Sequence, residues 1–197
     1  MRSGNNAMHL DRENEVCDYV LVALPCEEVS EMVNAERISF CESYGHNSCL
    51  QVKPHIALAS YFSTERMEER LERWIQNICN LQKSFTVTLN NYSGFPPDTI
   101  YLRVQETEPF ARLVNALRIL NGFMEMTDCP PIQFIVRPYM TIAGQLPQYI
   151  YEKAISEYAQ KSFHESFKVG RLALLKRDAY MRYQLINTFI LPAASLE

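Results

Sequence analysis

The chain has 197 residues and a mass of 22.9 kDa, and 47% of its residues are hydrophobic, enough for a real core, so a mainly disordered state is excluded. Lys and Arg number 19 against 23 Asp and Glu, a formal net charge of -4 that excludes a protein coating duplex nucleic acid through a broad basic surface. The average conceals a gradient: residues 1–80 hold 7 basic against 13 acidic side chains, whereas 161–182 hold 6 against 2.

From Val16 to Leu24 the run VCDYVLVAL is apolar and rich in valine and stops at Pro25, the pattern of a buried strand. A helical stretch follows from Glu27 to about Ser39. Met67, Leu71, Trp74, Ile75 and Ile78 recur at helical spacing as one apolar stripe, with Ser63 as N-cap and a solvated face that includes a Glu69–Arg73 pair. Strands are expected over 84–92 and 99–105, divided by the turn sequence Gly94-Phe95-Pro96-Pro97-Asp98. Thr107 and Pro109 open another amphipathic helix, Phe110, Leu113, Val114, Leu117 and Leu120 form its stripe, and Gly122 ends it. Strands then fall at 132–136 and 139–144, and a further helix starts near Pro147 with Ile150, Ala154, Ile155 and Tyr158 inward. Two strand-like runs, 167–177 and 181–191, close the chain around Asp178-Ala179-Tyr180. Strict β-α alternation and a glycine-rich phosphate loop are both missing, which points to an α+β fold with mostly antiparallel sheets.

Six cysteines without a C-x-x-C pair are too sparse for a disulfide scaffold or a zinc site and read as thiols in a reducing compartment. No apolar run approaches the ~18 residues of a membrane span. The expected organisation is a flexible tail over 1–15, one bilobal domain over 16–191 and a short tail over 192–197, in a cytoplasmic protein.

One internal echo carries more information than the composition. Residues 52–59 read VKPHIALA and residues 136–143 read VRPYMTIA, matching position by position in Val, a basic residue, Pro, an aromatic ring, and an apolar, a small, an aliphatic and an Ala residue. In a strand, His55 and Ala57 project from one face, as do Tyr139 and Thr141, while Ile56, Leu58, Met140 and Ile142 point into a core. Two such strands packed about a pseudo-twofold axis bring the four projecting positions to one cleft, with the prolines at the strand starts.

These paired strands resemble the motifs of the 2H phosphoesterase superfamily, which includes bacterial 2′-5′ RNA ligase-like proteins and cyclic nucleotide phosphodiesterases and is marked by two H-x-[ST]-hydrophobic motifs. The order of VLVALP near the start, the strand pair around 85–105 followed by a helix, and RLALLKR before a last strand fits the same family over roughly residues 16–191. The resemblance implies a two-lobed, pseudo-twofold α+β fold. It also implies in-line attack at phosphorus on a 2′,3′-cyclic phosphate or 2′-5′ linkage, with one histidine as base, the other as acid, two hydroxyls on the phosphate oxygens, and neither metal nor cofactor.

This chain holds half of that set. His55 and Thr141 match the motifs; Ala57 and Tyr139 replace a hydroxyl and a histidine. On the enzymatic reading His55 is the base, Tyr139 an unusual acid and Thr141 a phosphate ligand. Tyr139, with an ordinary pKa near ~10, is a poor base, so the two roles cannot be exchanged. Lys53 and Arg137, preceding the two prolines, are candidate phosphate contacts, and Tyr61, sharing the parity of His55, is a candidate platform for a base. The partner is an RNA end or a small cyclic nucleotide, and a monomer is favoured. The alternative is a binding protein that keeps the phosphate cleft without turnover, with the basic 161–182 segment bordering it.

Overall fold

A computed structural model describes residues 16–47, 50, 52–177 and 182–193. Among the described residues, runs of β-branched and aromatic residues form nine strands, β1 (Val16–Ala23), β2 (Ile56–Thr64), β3 (Phe85–Phe95), β4 (Thr99–Val104), β5 (Gln133–Phe134), β6 (Tyr139–Ala143), β7 (His164–Val169), β8 (Arg171–Arg177) and β9 (Tyr183–Ile190). The helices are α1 (Glu27–Tyr44), α2 (Glu65–Asn80), α3 (Glu108–Leu117), α4 (Leu120–Met126) and α5 (Gln148–Tyr158). The α+β expectation holds. All strands pair antiparallel in one sheet of order β7-β3-β4-β6-β2-β1-β8-β9, with β5 beside β2.

That order divides into two quartets, β7-β3-β4-β6 and β2-β1-β8-β9, which meet at the two echo strands. The seam is thinly laced: β2 and β6 share one paired position, Ile56 opposite Met140. Helices α1, α2, α3 and α5 lie against one face. α1 and α5 cover the first quartet and α2 the second, and between helices and sheet sits the main core, including Tyr19, Leu21, Phe40, Ile56, Leu58, Met140 and Ile142. The opposite face of the second quartet carries a smaller apolar cluster of Val20, Val22, Ala173 and Leu175, with Ala57 and Tyr183 against it.

Several local expectations change. The first helix runs on to Tyr44, where Gly45 (φ 66°) ends it in the left-handed region. Ser63 is no cap: it is buried in β2 without a partner for its hydroxyl, and Thr64 takes the cap position. Trp74, at the margin of the α2 stripe, is 45% exposed. The helix from Glu108 breaks at Arg118 and Ile119, so Gly122 lies inside α4. The run 167–177 is two strands: the chain leaves β7, on the edge beside β3, and after Gly170 enters β8 beside β1, crossing from one quartet to the other. Among the described residues no helix is long and apolar enough to cross a membrane. The expected N-terminal tail, the last four residues and the Asp178-Ala179-Tyr180 turn lie outside the described residues.

Candidate active site

The two echo strands carry buried prolines at their entries, Pro54 and Pro138. With Ile56 opposite Met140, antiparallel pairing puts His55 beside Thr141 and Ala57 beside Tyr139. All four belong to the face away from the helices, because Ile56, Met140 and Ile142 take the core positions between them. The motif residues this chain keeps are therefore cross-strand neighbours, and so are the two it has replaced. Tyr139 lies diagonally from His55, a relation that separates the two residues by ~7–8 Å.

His55 is half-buried, and its Nδ1 lies 2.9 Å from the Lys53 carbonyl oxygen. A carbonyl only accepts, so Nδ1 carries the hydrogen and Nε2 is left with its lone pair. Burial holds the imidazole below its ordinary pKa, and the Arg37 charge pushes the same way, while the Lys53 carbonyl partly opposes them. A neutral ring with one basic nitrogen presented is suited to accept a proton. Tyr183 packs against it with ring centroids 6.0 Å apart, and Arg177, ion-paired with Asp18, lies over the Tyr183 ring at 5.9 Å.

On the other side, Tyr139 belongs to an aromatic group. Its ring meets Phe95 at 5.0 Å and Tyr101 at 5.1 Å, and Phe95 stacks on Tyr101 at 4.3 Å. Burial raises the Tyr139 pKa, with Tyr101 and Asp98 adding to it. Arg103 stands directly across from Tyr139 on β4 and donates from Nε to the Asn90 carbonyl at 3.1 Å.

The structure also supplies a residue that motif reasoning missed. Arg37 is 3% exposed on α1 and holds both echo strands by their backbones. Its Nε and one terminal nitrogen donate to the Thr141 carbonyl at 3.0 and 2.7 Å, and the other terminal nitrogen donates to the Val52 carbonyl at 2.6 Å. One guanidinium thus spans the thin seam between the quartets and fixes the approach to His55 relative to Thr141. A signal existed: Val29, Val33, Arg37 and Phe40 form the buried stripe of α1, so a charge occupies an apolar register.

Other candidates fall elsewhere. Lys53 offers its carbonyl to the site while its side chain is exposed, and Arg137 is exposed at the bend before Pro138. Tyr61 is corrected. Leu58 is an extra residue in β2, bulged between the Leu21–Ala59 and Val22–Ala57 pairs, and it reverses the parity of everything after it. Tyr61 therefore faces α2, 4% exposed and stacked on Tyr19 at 5.2 Å, and gives no platform to a ligand. The basic 161–182 segment is also dispersed: Lys161 pairs with Glu36, Lys176 with Glu65 and Glu68 of α2, and Arg177 with Asp18. Among the described residues no group of three or more His, Cys, Asp and Glu side chains is arranged to hold a metal ion.

The chain matches the family model of the 2′-5′ RNA ligase superfamily over residues 25–180. It is 22% identical over 175 residues to the Geobacillus kaustophilus protein named "Putative phosphoesterase GK0864", covering 87% of this chain and 95% of that one. In structure it is similar to a crystallised phosphoesterase, with a TM-score of 0.67 at 17% identity over 90% of this chain and 99% of the other. Escherichia coli LigT in complex with 3′-AMP gives 0.65 at 16% identity with the same coverage. The family match, the relative and the shared fold agree with the paired motif strands, and the chain belongs to the 2′-5′ RNA ligase superfamily of 2H phosphoesterases.

Proposed function

We propose that the helix-free face binds the phosphodiester of an RNA end or a small cyclic nucleotide between His55 and Thr141, and that the protein hydrolyses it slowly without a metal. The observation that carries this reading is the Nδ1 bond from His55 to the Lys53 carbonyl, which leaves Nε2 as a base beside the Thr141 hydroxyl. In this reading water attacks phosphorus in line and gives its proton to Nε2, Thr141 donates to a nonbridging oxygen, and Tyr139 holds a proton on the leaving side. Arg137 and Lys53 lend positive charge at the rim. Structures of E. coli LigT with 3′-AMP, ATP and NADP+ support a nucleotide as the ligand class.

Removing a positioned base costs ~10²–10⁴ in rate. Hydrolysis of a phosphodiester in the presence of EDTA is therefore expected, falling by that factor in His55→Ala. Turnover indifferent to the substitution refutes the assignment. The replaced Ala57–Tyr139 pair favours one second reading, a nucleotide-binding protein without turnover. It predicts binding that weakens with salt and in Arg137→Ala while no product forms.

A further inference from the structure

We infer that this site selects substrates by the acidity of their leaving group: it turns over phosphodiesters and phosphoanhydrides whose leaving oxygen departs as a stable anion, such as a phenolate or a nucleotide phosphate, and discriminates against ribose alkoxides. The inference rests on the phosphoesterase reading above and names its substrate class.

The register of the echo strands is the starting point. Because Ala57 and Tyr139 are cross-strand neighbours, the two replacements fall together in one half of the pseudo-twofold site, and the half that holds His55 and Thr141 is intact. One half can still take a proton from the attacking water. The other has lost the imidazole that would return one to the leaving oxygen. What stands there is a phenol set among Phe95 and Tyr101, with burial raising its pKa further. A phenol (~10) is a far weaker acid than an imidazolium (~6.5), and acid catalysis weakens as the acid does. No other described histidine can substitute. His46 bonds the Gly144 carbonyl from beyond the end of α1, and His164 lies on β7, three strands from β6, roughly 14 Å at ordinary strand spacing.

The same half has a different resource. Arg103 stands across from Tyr139 on β4 with its Nε held by the Asn90 carbonyl of β3, so it lends positive charge to this half of the site without supplying a good acid. The step balances in that form. A P–O bond forms to water as its proton passes to Nε2 of His55, and the bond to the leaving oxygen breaks with both electrons staying on that oxygen. His55 then releases its proton to solvent.

The test is a leaving-group series in EDTA: nucleoside 5′-phosphodiesters of nitrophenol, chlorophenol, phenol and methanol, together with adenosine 2′,3′-cyclic phosphate. An effective acid makes the rate enhancement over buffer grow as the leaving oxygen becomes more basic. The expected result is an enhancement that does not grow along the series, with cyclic phosphate and methyl ester the least accelerated substrates. Tyr139→His is expected to raise kcat/KM on the cyclic phosphate by ~10²-fold or more, and far less on the nitrophenyl ester. Should that variant misfold, the wild-type series decides alone. An enhancement over buffer as large on the cyclic phosphate as on the nitrophenyl ester overturns the inference and leaves the phosphoesterase reading in place. No turnover of any ester refutes that reading, and the inference falls with it.

Discussion

Arg37 offers the most searching test of how the site is built. Replacing it with Met keeps the apolar stem and removes three N–H···O contacts to two backbone carbonyls, Val52 and Thr141. Each part-buried carbonyl left unsatisfied costs about 1–3 kcal/mol, or about 2–6 kcal/mol for both. Relief from burying a guanidinium returns part of this. A net cost of about 3 kcal/mol is a large share of the roughly 5–15 kcal/mol that holds a domain folded. At about 2–4 °C per kcal/mol for a chain of this size, the melting temperature falls by about 6–12 °C. A surface substitution would not share the second effect: the Arg37 charge helps keep His55 deprotonated, so the His55 pKa rises in Arg37→Met. Calorimetry reads the first quantity and an NMR titration of the His55 ring the second. A melting temperature within ~2 °C of wild type, or an unmoved His55 titration, refutes the role given to this residue.

Other outcomes follow from the same contacts. His55 titrates below 6.5 in the folded chain, so the activity plateau extends below that pH before its acid limb; the unfolded chain takes the proton first, and stability from this group declines as pH falls from 6.5 through the folded value, both readable from rate and melting profiles. Ser63→Ala removes a buried hydroxyl without a partner and is expected to leave stability unchanged or raise it by up to ~1 kcal/mol, as denaturant unfolding measures. Cys79 is buried and its thiol is pushed up to about 12, so iodoacetamide labels exposed Cys26 in the native protein and reaches Cys79 only on unfolding, as mass spectrometry of labelled peptides shows. Phe95→Ala removes ring contacts to Tyr101 and Tyr139 and should cost about 3–5 kcal/mol at most, less for its partial exposure, with the Tyr139 resonances shifted.

The echo strands were legible because short-range rules govern them: a proline entry, alternation, and two copies that corroborate each other. Fold class followed from the same periodicity. Tyr61 failed for a reason that one strand's sequence does not reveal, since a single bulge at Leu58 reverses facing and only the pairing with β1 shows it. The run 167–177 failed at Gly170, where an apolar pattern continues while the chain changes quartets. Arg37 lay 18 residues before its motif, and its partners are backbone carbonyls, which leave no side-chain pattern to read. The basic 161–182 segment looked coherent along the chain, but alternation sent Lys176 to α2 and Arg177 to the open face.

The proposed function requires one phosphate to sit between His55 and Thr141. The direct measurement is a titration with 3′-AMP followed by NMR, reading the His55 ring and the Thr141 amide together in wild type and in Thr141→Val. Both signals are predicted to move along one saturable curve in wild type, with affinity weakened in Thr141→Val. A nucleotide that binds while leaving both signals still, or one that does not bind at all, contradicts the claim.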